Sequence, residues 1–68
     1  STEREHLMAR YKVTLLCIDS STGYEDAHCY MVDSKNDTEA TDWAVVKCRN
    51  HYPEYDTVKT VRTEYMGK

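Results

Sequence analysis

Asn36-Asp37-Thr38-Glu39-Ala40-Thr41-Asp42-Trp43-Ala44-Val45-Val46-Lys47-Cys48-Arg49-Asn50-His51-Tyr52-Pro53 is the stretch that decides the fold. It carries a written start, a helical apolar period and a written stop. Asn36 can accept from the orphan N–H groups of a first turn, and Glu39, three residues on, can reach back. Ala40, Ala44 and Cys48 recur every fourth residue, with Trp43 and Tyr52 alongside, so one face of the predicted helix is apolar. Pro53 cannot continue the ladder and disfavours helical geometry at Tyr52. Asp33, Asp37, Glu39 and Asp42 gather around the start, where they complement the helix dipole. One short helix does not stay folded alone, so the flanking runs must supply its surface.

Arg10 to Ile18 is the clearest strand upstream of it. Tyr11, Val13, Leu15 and Cys17 share one face, and Lys12, Thr14, Leu16 and Ile18 the other. Asp19-Ser20-Ser21-Thr22-Gly23 is a turn by composition, with Gly23 free to take positive φ. Tyr24 to Val32 returns as the second strand of a hairpin. Ala27, Cys29 and Met31 are expected to face the helix; Asp26, His28 and Tyr30 face out, with Val32 on their side. Asp33-Ser34-Lys35 reads as a linker.

Downstream, Tyr55 to Tyr65 is the last strand. Val58 and Val61 fall on opposite faces of a strict two-residue period. Either a bulge separates them, or Val58 and Thr60 face the core and Val61 lies outside. Lys59 and Arg62 project from what reads as a sheet edge, where charge blunts unwanted strand pairing.

The expected fold is therefore α+β, a three-stranded sheet of antiparallel type in the order β-β-α-β with one helix packed on one face. With strand one in the middle, the outer strands run parallel to each other, and the helix makes a right-handed crossover between them. Residues 1–9 are expected to be a flexible tail, part of it readable as a non-native leader because Met8-Ala9-Arg10 would serve as a native start. Residues 10–68 form a single small domain.

At 68 residues, with 40% hydrophobic side chains and no Phe, the core is small. A chain of this size draws roughly 3–5 kcal/mol from such a core. The net charge of −3, with both signs interspersed, gives neither the basic stripe of a nucleic-acid binder nor the dense acidic surface of a DNA mimic. Three cysteines, Cys17, Cys29 and Cys48, lack metal-site spacing and read as small apolar residues in a reducing cytosol. No metal or cofactor is expected. Two distant glycines exclude a phosphate loop, no nucleophile elbow is present, and no enzyme is expected. The chain has no apolar run of membrane-spanning length. Six tyrosines either stand in for Phe in the core or dress an interface on the open sheet face.

From the end of strand one onward, the pattern resembles the small early proteins of tailed phages, in particular the short-tailed coliphage inhibitors of host RNA polymerase. Asp19-Ser20-Ser21 at the first turn, Glu39-Ala40 early in the helix, and Val58 with Val61-Arg62 in the last strand carry the resemblance. It implies a non-enzymatic inhibitor in the bacterial host cytoplasm, whose partner is a host protein complex such as RNA polymerase. An acid at the first turn, here Asp19, and basic residues on the last strand, here Arg62, would engage it. The second arginine of that family falls on Thr60, with Lys59 one residue off on the opposite face. Small anti-CRISPR proteins of similar size and topology are resembled nearly as well, which would make the partner a defence effector. The expected partner-binding set is Arg62, Lys59, Asp19, Tyr30 and His28. Other readings are a nucleic-acid-binding or mimicking module and a self-assembling phage component, with a homodimer as one form of assembly.

Overall fold

The computed structural model describes residues 8–67. They fold as β1 (Ala9–Asp19), β2 (Tyr24–Ser34), α1 (Asp37–His51) and β3 (Thr57–Gly67). The sheet order is β2-β1-β3, and both outer strands pair antiparallel to β1. This is the α+β architecture read from the sequence. The expected tail lies outside the described residues for 1–7, and its last residue, Ala9, is instead the buried first residue of β1.

The helix begins where the sequence says. The side chain of Asn36 accepts from the Glu39 N–H at 2.8 Å, with Asp37 and Glu39 in the first turn and Arg49 and His51 in the last. Glu39 does not reach back to the cap; its carboxylate lies 3.8 Å from Lys35 Nζ. Tyr52 closes the other end, donating its N–H to the Cys48 carbonyl before Pro53. Ala40, Ala44 and Cys48 are completely buried against Val13, Leu15 and Cys17. Because the seam is made of small side chains, the helix backbone lies close to the sheet. Trp43, expected beside that seam, is 53% exposed. It precedes Ala44 by one residue, about 100° around the helix, and so lands on the outer flank.

The largest departure is the face of β2. Val13 pairs with Tyr30, Leu15 with His28 and Cys17 with Asp26. Directly opposed residues share a face, so Asp26, His28, Tyr30, Val32 and Ser34 lie on the helix side. Ala27, Cys29 and Met31 are exposed on the other. The expectation was the reverse, and its cause is one residue. A five-residue turn starting at Asp19 would oppose Ile18 to Tyr24. In the structure Asp19 itself pairs with Tyr24, and a slip of one exchanges every side chain between faces. The Asp19 side chain fixes this by accepting from the Ser21 N–H at 3.0 Å and the Ser21 hydroxyl at 2.6 Å. Its carbonyl accepts from Thr22 and Gly23, with Gly23 at φ +76°. Asp33 and Ser34, read as linker, complete β2.

The last strand contains the expected irregularity. Leu15 pairs with Thr60 and Thr14 with Arg62, which leaves Val61 as an extra residue, 62% exposed. Val58 and Thr60 do lie on the face of Cys17 and Leu15. The strand begins at Thr57; Tyr55, expected to open it, is a buried loop residue whose N–H donates to the Tyr52 carbonyl.

Candidate functional site

The helix covers one face of the sheet, and the strands dictate what remains on the other. Register places five cross-strand rows there: Glu25, Ile18 and Thr57; Ala27, Leu16 and Lys59; Cys29, Thr14 and Arg62; Met31, Lys12 and Glu64; then Asp33 and Arg10. A diagonal of Ile18, Leu16, Ala27, Cys29 and Met31 is bordered by charge on the β3 side and at both ends. Met31 is 51% exposed. The Arg10 guanidinium lies 3.1 Å from its cross-strand partner Asp33, which holds the arginine pKa above its ordinary value by that hydrogen bond.

The bulge at Val61 shapes the basic edge. In an unbroken strand Lys59 and Arg62 would face opposite ways; the extra residue brings them to the same face, opposite Leu16 and Thr14. Two positions on β1 separate those partners, a spacing of about 7 Å. Arg62 Nε lies 3.3 Å from Glu64 on this face, while Lys12 and Lys59 make no ion pair among the described residues. Exposed pairs of this kind exchange partners at little cost.

The five residues singled out in the sequence do not converge. Lys59 and Arg62 share the open face. Asp19 is engaged in the β1–β2 turn, as its bonds to Ser21 show. His28 and Tyr30 are on the helix side, in an aromatic cluster. There His28 stacks on Tyr52 with ring centroids 4.5 Å apart, and Tyr52 lies 5.7 Å from Tyr55. Among the described residues His28 Nε2 is buried without a hydrogen-bond partner, and it lies 3.5 Å from Asp26 Oδ2. The Tyr30 hydroxyl is pushed up to about 12, chiefly by burial and then by the neighbouring Cys48 sulfur. Burial likewise raises Tyr55.

The open face therefore carries no tyrosine in its rows. Tyr11, Tyr30, Tyr52 and Tyr55 pack on or within the core, and Tyr65 sets its ring edge-on to Tyr11 at 5.7 Å. These tyrosines do the work of the absent Phe. The residues that sequence reasoning left out of the site are Ala27, Cys29 and Met31, which it had placed under the helix. The pattern Asp19-Ser20-Ser21 could have found them, because an Asx turn that keeps Asp19 in the ladder sets the register.

A second exposed apolar area lies along the flank of α1. Trp43, Met31, Val32 and Met8 line a groove of about 470 Å³ with Asp33, Glu39 and Lys47 at its rim. Among the described residues no three potential ligands converge as a metal would require, and no helix is long and apolar enough to cross a membrane. No family model matches the chain, and neither a characterised relative nor a solved structure does.

Proposed function

We propose that this is a non-enzymatic binding protein that docks the open face of its sheet on a bacterial protein machine and inhibits it. One observation carries the reading: an uncovered apolar diagonal lies beside Lys59 and Arg62, which a bulge turns to the same side. Apolar area supplies affinity, and a basic border selects a partner surface with acidic side chains. The resemblance to the phage inhibitors supports RNA polymerase as that partner, with a basic last strand in the same role; a defence effector would use the same face.

The test is retention of partners from bacterial lysate by the immobilised protein, identified by mass spectrometry. One machine is expected, with RNA polymerase subunits the first outcome to look for. Lys59→Glu with Arg62→Glu should reduce its recovery at least tenfold, the scale of losing about 1.4 kcal/mol, with an unchanged circular dichroism spectrum. Recovery unaffected by the double change would overturn the docking face. Recovery of nothing but the protein itself would overturn the inhibitor reading in favour of self-assembly.

A further inference from the structure

Cys17 on β1 and Cys48 on α1 sit face to face in the core, both fully buried, with their sulfurs 2.8 Å apart. A disulfide needs about 2.05 Å between sulfurs, so less than about 1 Å of movement separates contact from bond. Both are free thiols here. Cys29, the third cysteine, is exposed on the opposite face of the sheet, where its sulfur lies 3.5 Å from the Thr14 hydroxyl. The sheet stands between it and the other two.

We propose that Cys17 and Cys48 are a disulfide-forming pair, oxidised by low-molecular-weight disulfides, and that the bond fastens α1 to the central strand. The thiolate of one cysteine attacks a sulfur of the small disulfide, forming a mixed disulfide and releasing one small thiol. The thiolate of the second cysteine attacks the protein sulfur of that mixed disulfide and releases the other. Two protein thiols lose two electrons and two protons, and the small disulfide is reduced to two thiols.

The surroundings set when this happens. Burial, with the Cys48 hydrogen bond as the second cause, pushes the Cys17 thiol up to about 12. Little thiolate therefore exists at neutral pH in the closed protein, and the small disulfide has no path to it. The bond forms while the chain is folding or has opened, and once formed it is shielded from reductants by the same burial. The sulfurs are 31 residues apart in sequence, so the link also restricts the unfolded chain. Because it lies under the helix, it leaves the open face unchanged, and its test stands apart from partner binding.

The experiment refolds the reduced protein from denaturant with oxidised glutathione, then alkylates it under denaturing, non-reducing conditions. The expected product is two hydrogens lighter before alkylation, takes up one alkyl group, at Cys29, and yields a Cys17–Cys48 crosslinked peptide on proteolysis. Its melting temperature rises and returns to the reduced value with dithiothreitol. The same oxidant added to the folded protein should act at least tenfold more slowly. Cys29→Ser should keep the mass change and the thermal shift, and Cys48→Ala, which matches its helical neighbours Ala40 and Ala44, should abolish both. Three alkylated cysteines after oxidative refolding would overturn the proposal, as would a crosslink through Cys29 or a Cys17–Cys48 link that lowers the melting temperature.

Discussion

Leu15 and Leu16 are neighbours on β1 with the same side-chain chemistry, yet they live in different solvents. Leu15 is fully buried between sheet and helix, packed with Val13, Cys17 and the Ala40-Ala44-Cys48 seam. Leu16 lies half-buried on the open face between Ala27 and Lys59. One face spends its apolar side chains on holding the chain together; the other leaves them available. A helix of fifteen residues is long enough to cover one face of three strands, and nothing in the described residues covers the second.

The comparison is broken most directly by truncating each leucine. Leu15→Ala should cost about 3 kcal/mol, through lost burial and the cavity left behind. A domain of this size holds only roughly 3–5 kcal/mol, so much of the protein should then unfold at room temperature. Leu16→Ala should stay within about 0.5–1 kcal/mol, as for other partly exposed positions. Urea unfolding followed by circular dichroism measures both. Equal losses would mean that the open face is covered in solution, as self-association would do.

A smaller contrast comes from two threonines. Thr63 on β3 meets Thr41 on α1 with hydroxyl oxygens 2.6 Å apart, half-buried, and Thr41 also donates to the Asp37 carbonyl at 2.8 Å. Thr63 therefore donates, and Thr63→Val leaves the Thr41 oxygen without that partner, at a cost of about 1 kcal/mol. On the open face Thr14→Val removes only a 3.5 Å contact with the Cys29 sulfur, and the change should stay within about 0.5 kcal/mol. Paired urea midpoints read the difference; a larger loss at Thr14 would reverse the assignment of the two faces.

How much of this was legible follows the same division. The helix could be read because its signals are local: Asn36 caps, Pro53 stops, and a four-residue repeat of small side chains marks the seam. Both faces of β1 could be read because its alternation is unambiguous around Val13 and Leu15. The bulge in β3 was visible as a conflict between Val58 and Val61. The faces of β2 were not legible from composition, because Ala27, Cys29 and Met31 are the more apolar set and yet lie outside. Their placement depends on whether Asp19 belongs to the turn or to the ladder. A single side-chain acceptor decides that, and with it the makeup of the candidate site. Trp43 misled for a related reason, since it reads as part of the apolar face while the helical angle puts it outside the seam.

The smallest effect tests what joins the two faces at their shared end. Asp56, between α1 and β3, accepts from the Ser20 N–H at 3.2 Å and from the Ser20 hydroxyl, and its own N–H donates to the Ile18 carbonyl at 3.1 Å. The bonds from Ser20 hold its carboxyl below the ordinary carboxylate range. The folded protein thus binds this proton more weakly than the unfolded chain does. Its contribution to stability is complete above the unfolded carboxylate pKa and disappears as pH falls through the lower folded value. Asp56→Asn should lower the melting temperature slightly at neutral pH and flatten the loss of stability on acidification. Thermal melts of both proteins from neutral to acidic pH measure this. An acid limb unchanged in Asp56→Asn would show that the Ser20 bonds to this carboxylate do not help hold the β1–β2 turn to the start of β3.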